Sequence, residues 1–256
     1  MRTKLATVLA VLLGLTSIAA CGSDDSGGSS TKKDVTIRVF AAASLTETFT
    51  ELGKQFEKAH PGTKVEFGFG PSSGLAEQIG SDAPADVFAS ASPSNMDTVV
   101  QAGDAKDPKD FATNSMEIAT PPDNPGKVDS LDDLARPGVK VALCQAQVPC
   151  GKTAYQVFDN AHLTVKPATE EVDVKSVLTK VTLGEVDAGV VYVTDVQAAG
   201  DKVKGVEIPA AQNASTSYPI ATLTHSKHQK EASEFVDLVL SDDGAKVLEE
   251  AGFKSP

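Results

Sequence analysis

The chain has 256 residues, 41% of them hydrophobic and 23% charged, with a formal net charge of −12. That acidity argues against a nucleic-acid surface, which requires clustered Lys and Arg. About 220 residues follow Asp34, enough for a good core or for two small α/β lobes, and no internal repeat divides them.

Arg2 and Lys4 precede an apolar run from Leu5 to Ile18. This run is too short for a comfortable membrane span and reads as a signal peptide over residues 1–20. It ends in Ile18-Ala19-Ala20-Cys21, which resembles the lipobox of bacterial lipoproteins, where cleavage leaves the cysteine as a diacylated first residue. The expectation is a protein lipid-anchored through Cys21 on the extracytoplasmic face of the cell membrane. Loss of Arg2 and Lys4 takes the formal charge from −12 to −14. Residues 21–34 are rich in Ser, Gly and Asp without apolar periodicity, and predict a flexible tether.

Thr36 to Ala42 reads as a short apolar strand, after which Leu45, Phe49, Leu52 and Phe56 recur at helical spacing. Ser44 stands immediately before that helix and Glu47 three residues later, a capping-box pattern. Val65 to Phe69 is a second strand. A short helix carrying Leu75 and Ile79 follows the Ser72-Ser73-Gly74 turn, and Val87 to Ser90 is a third strand. Ser92-Pro93 opens another helix, with proline at its first position. This alternation predicts an α/β fold with a mainly parallel sheet covered by helices. After the charged stretch Asp104 to Asp110, the first crossing between lobes is placed near residues 113–118. The second lobe should contain a strand at Val139 to Leu143, helices near residues 153–160 and 174–181, and a strand at Ala188 to Val193. The chain is expected back in the first lobe around residues 217–223, ending in helices over 230–240 and 244–251. The predicted division is therefore 35–115 with 217–256 as one lobe and 116–216 as the other.

Cys144 and Cys150 flank five residues, and in an exported protein two thiols this close read as a disulfide that staples a loop. A redox pair normally has a two-residue spacer, and zinc requires further ligands that have no obvious spacing here. Cys150-Gly151-Lys152-Thr153 looks like the tail of a nucleotide P-loop, but the glycine required five residues before Gly151 is Ala146. His60, His162, His225 and His228 sit in polar surroundings, and no convincing Ser-His-Asp arrangement is visible.

Three stretches carry the binding chemistry: Ala41 to Leu45, Pro71 to Leu75, and Ala83 to Ala91. They are rich in hydroxyls and helix starts and contain no Lys or Arg. A helix start presents unpaired N–H groups and partial positive charge, which suit an oxyanion.

Phe40-Ala41-Ala42-Ala43-Ser44-Leu45-Thr46, Gln78-Ile79 and Gly80 through Ala91 resemble the periplasmic molybdate-binding proteins of ABC transporters. Asn114-Ser115, Pro149-Cys150-Gly151, Val174 through Leu178 and Gly189-Val190-Val191-Tyr192 extend the likeness, which runs from about Val35 to the C-terminus. The resemblance implies a two-lobed type II periplasmic binding protein fold, mixed but mainly parallel, that closes over molybdate or tungstate and delivers it to a membrane permease, as a monomeric receptor without catalysis or cofactor. Carried over motif by motif, it implies ligand contacts from Ser44 and Ser72 in the first lobe and from Cys150, Val174 and Tyr192 in the second. Cys150 and Val174 would act through backbone N–H, and Cys150 stands where the family commonly has alanine. Ser73, beside Ser72, is the alternative second hydroxyl. Asp86 is read as a structural residue that satisfies loop amides. The rival readings are a receptor for another tetrahedral oxyanion, such as sulfate or phosphate, and an exported redox protein using Cys144 and Cys150.

Overall fold

The computed structural model describes residues 34–256. The signal-peptide and Cys21 readings, and nearly all of the tether, lie outside the described residues.

β1 (Val35–Ala42) pairs in parallel with β2 (Thr63–Gly70) and β3 (Val87–Ala89). The connections are helical, with α1 (Thr46–Ala59) between β1 and β2 and α2 (Ser72–Ile79) between β2 and β3. α1 buries Phe49, Leu52 and Phe56, the apolar stripe anticipated from spacing. α3 (Pro93–Ala102) begins with Pro93 and ends at Gly103, whose φ of 87° supplies the left-handed conformation of a helix stop.

β4 (Lys109–Thr120) is the strand that joins two cores. Residues 109–115 pair antiparallel with β9 (Ser215–Thr222), whereas residues 116–120 pair antiparallel with β7 (Ala188–Tyr192) and β8 (Lys204–Glu207). β5 (Val141–Cys144) then lies parallel to β7 and to β6 (Thr169–Glu171). The resulting order is β2-β1-β3-β9-β4-β7-β5-β6, with β8 beside β4. It is a mixed α/β sheet, with antiparallel pairing concentrated at β4 and β9.

α4 (Pro149–Asn160), α5 (Val174–Thr182) and α6 (Val193–Ala199) cover the β5–β7 side. Val141, Leu143, Val157, Val177, Val181 and Val190 are fully buried in this core. α7 (Gln229–Leu240) and α8 (Asp242–Glu250) pack with α1, bringing Phe49, Phe56, Phe235 and Phe253 into a second core under β1 and β9. The short strands β6 and β8 and the seven-residue helix α6 were not anticipated: elements of this length carry too little periodicity to be read.

One local reading is overturned. Ser44 does not cap α1, because β1 runs into a 3₁₀ turn over Ala43–Leu45 and the helix starts only at Thr46. The cap position is Leu45, with no side-chain cap, so the capping box of Ser44 and Glu47 does not form.

Candidate functional site

The strand–helix junctions of both cores meet at one cavity. Its wall consists of Ala42 at the end of β1 with Ala43 and Ser44 beyond it, Gly70 at the end of β2 with Pro71 and Ser72 beyond it, Ala91 after β3, Pro149 and Cys150 after β5, Asp173 and Val174 after β6, and Tyr192 at the end of β7. Ligands of open α/β sheets collect at the carboxyl ends of strands because helices begin there and turn unpaired N–H groups toward the gap. About 20 Å³ is open to the centres of water-sized atoms, the volume of a sphere of roughly 1.7 Å radius, so a central atom with one shell of oxygens fills it.

Ser44, Ser72, Cys150, Val174 and Tyr192 all line this cavity, though up to 148 residues separate them in sequence (192 − 44). Ser73 is the second residue of α2 and is not part of the wall. It does not cap that helix either, since the cap position is Pro71.

Each junction has a local reason for its shape. Ser72 is 1% exposed, and its Oγ accepts the Ala91 N–H at 3.0 Å, which ties the β2 junction to the β3 junction. With its oxygen engaged as an acceptor, the Ser72 hydroxyl proton is free for a ligand. Cys150 occupies the second position of α4, where its N–H has no carbonyl four residues back within the helix. A disulfide joins Cys144 at the end of β5 to Cys150, with Cα atoms 5.7 Å apart. Gly151 completes the device: a Cβ there would lie 2.0 Å from the Gln145 carbonyl oxygen, so only glycine lets the stapled loop close on the helix start.

Asp173 caps α5, its Oδ1 accepting the Ser176 N–H at 2.8 Å. This keeps the Val174 end of the helix fixed at the wall. Asp173 was missed by the sequence reading, although an Asp directly before an apolar helical run is a recognised start signal. Tyr192 is 1% exposed, and its hydroxyl makes no hydrogen bond although Thr153 and Tyr218 lie near it. Burial pushes its ionisation well above the ordinary tyrosine range, so it stays a neutral donor.

No Lys or Arg belongs to the wall. Lys175, next to Val174, is held by Glu47 at 2.8 Å and by Asp195 at 3.0 Å. Burial lowers its pKa, but the two carboxylates outweigh that and hold the ammonium charged above its ordinary value. Asp86 sits outside the wall, accepting from the Arg38 N–H at 2.7 Å and from the Ser226 hydroxyl at 2.5 Å, a loop-organising role. Tyr218, a residue with no motif around it, stands one layer behind: its hydroxyl is 2.9 Å from Ser44 Oγ.

A family model described as bacterial extracellular solute-binding protein matches residues 37–254. The chain is 41% identical over 256 residues to the molybdate-binding protein ModA of Mycobacterium tuberculosis, covering 98% of both chains. Among solved structures it resembles the substrate-binding domain of a putative molybdenum ABC transporter from Clostridium difficile, with 31% identity, 87% and 99% coverage and a TM-score of 0.66. It also shares its fold with the sulfate-binding protein SubI of Mycobacterium tuberculosis, at 18% identity, 86% and 87% coverage and a TM-score of 0.72.

Proposed function

This chain belongs to the bacterial extracellular solute-binding protein family, and we propose that it captures molybdate or tungstate outside the cytoplasm and delivers it to an ABC-type permease. It is a transport receptor and not an enzyme. The observation that carries the reading is the convergence of Ser44, Ser72, Cys150, Val174 and Tyr192 on one ion-sized cavity without a cationic side chain. Hydroxyls and helix-start amides fix oxygen positions, whereas a free ammonium attracts any anion. In a dry cavity each donor also penalises an ion too small to reach it, because an unmade buried hydrogen bond costs about 1–3 kcal/mol. Size therefore selects the larger tetrahedral dianions over sulfate.

In the proposed mechanism the two cores act as lobes, residues 35–115 with 217–256 against 116–216. The hinge lies where β4 changes partners after Ser115, together with the start of β9. Ligand bound to Ser44 and Ser72 on one side and to Cys150, Val174 and Tyr192 on the other favours closure by the difference in its affinity for closed and open forms. The receptor is held at the membrane by lipid on Cys21.

Titration calorimetry against molybdate, tungstate, sulfate and phosphate tests the proposal. Binding of the first two, resistant to excess sulfate, is expected. Equal competition by sulfate would make the protein a general oxyanion receptor.

A further inference from the structure

Glu47 follows Ser44 by three residues on one side of the cavity, and Lys175 follows Val174 directly on the other. The Lys175 ammonium donates to Glu47 Oε1 at 3.0 Å and to Glu47 Oε2 at 2.8 Å. Among the described residues this is the one ion pair that joins the two proposed lobes, and every other pair stays within one of them. Lys175 is anchored on its own side before it meets Glu47. Asp195, fully buried, faces the ammonium with Oδ1 at 3.0 Å, so the cation keeps a counterion when Glu47 moves away. Asp195 Oδ2 accepts the Tyr192 N–H at 3.1 Å, which makes one carboxylate the support of both the bridging cation and the strand end that carries Tyr192. An ammonium already held in place loses less conformational freedom on meeting Glu47 than a free surface lysine does.

Resting on the oxyanion and two-lobe readings above, we infer that Glu47 and Lys175 form a latch across the cleft, which engages on closure and slows release of the anion without touching it. The sign of the effect separates a latch from a simple field. Glu47 places a negative charge beside an anion site, so through charge alone its removal should tighten binding. Removal of a latch instead quickens release. Salt gives a second separation, because the Glu47 side chain is 53% exposed and its attraction to Lys175 is open to screening, whereas an anion enclosed in the cavity is screened far less.

The test measures release of radiolabelled molybdate from the full-length protein into excess unlabelled molybdate, for wild type, Glu47→Gln and Glu47→Lys. Release is expected to be about two- to fivefold faster in both variants, the range of a partly exposed ion pair, with association unchanged or faster. Raising sodium chloride from about 0.01 M to about 1 M shortens the screening length from about 30 Å to about 3 Å, and should quicken wild-type release by a similar factor while leaving Glu47→Gln unaffected. Release from either variant no faster than from wild type, or the same salt response in wild type and Glu47→Gln, would overturn the latch. If the variants fail to fold, the wild type decides: release that quickens with salt supports the latch, and release that does not overturns it. A wild type that holds no molybdate removes the oxyanion reading, and small-angle scattering unchanged by molybdate removes lobe closure; either takes the latch with it. A wild type that binds and closes, with variants that release no faster, removes the latch alone.

Discussion

Glu47 of α1 and Asp195 of α6 share a single cation, the Lys175 ammonium, which lies 2.8 Å from one and 3.0 Å from the other. Asp195 has no solvent exposure while Glu47 is about half exposed, so the two halves of the bridge differ in consequence. Burial raises the Asp195 pKa and Lys175 opposes that rise. Lys175→Met leaves a buried carboxylate without its cation and should cost about 3–5 kcal/mol, lowering Tm by roughly 10 °C. Glu47→Gln removes an exposed partner and should cost about 1 kcal/mol or less. Adding Asp195→Asn to Lys175→Met should recover most of the loss in thermal denaturation. Equal effects of Lys175→Met and Glu47→Gln would refute this division.

Ser44→Ala removes a hydroxyl from the cavity wall and also takes from the buried Tyr218 hydroxyl its partner 2.9 Å away. Molybdate affinity should fall by about 1–3 kcal/mol, roughly 5- to 150-fold, by titration calorimetry. Unchanged affinity removes Ser44 from the donor shell.

The disulfide closes a short loop, Cys144 and Cys150 being six apart in sequence. Loop-closure entropy for that length amounts to about 2 kcal/mol, so replacing both cysteines by serine should lower Tm by roughly 4–8 °C. Molybdate binding should persist, weakened less than by Ser44→Ala, because the Cys150 contribution is a backbone N–H that a serine in its place also carries. Loss of a thiol-exchange activity in the double variant, rather than loss of stability, would revive the redox reading.

Glu117 on β4 stands opposite Glu207 on β8 in the strand register. Burial first, and the Glu207 charge second, raise its pKa above 4.5. The folded protein therefore keeps a proton that the unfolded chain has released, and stability falls as pH rises from about 4.5 through the raised value. Glu117→Gln should melt higher than wild type at pH 7, with the difference vanishing below pH 4.5. A difference that does not depend on pH would show that ionisation of Glu117 is not its source.

Much of the fold was legible because strands and long helices repeat their apolar residues within short windows. β1, α1, α5 and the pair α7 and α8 all follow such runs. The donor segments were legible as motifs, and the structure draws Ser44, Ser72, Cys150, Val174 and Tyr192 to one cavity. The role of Ser44 within its own turn was not legible. A Ser followed three residues later by Glu reads as a capping box, yet the serine turns inward to Tyr218 and the glutamate outward to Lys175.

The sequence by itself determined the succession of strands and helices, the junctions rich in hydroxyl and amide donors, and the close cysteine pair, since all of these are short-range properties of the chain. Tertiary structure alone decided that Ser44 meets Tyr218, 174 residues away, and that Lys175 is spent on Glu47 and Asp195 instead of facing the cavity. A hydroxyl or an ammonium carries no preference among distant partners. Its partner is set by which strand ends the sheet order brings side by side, and that order follows from burying both cores at once.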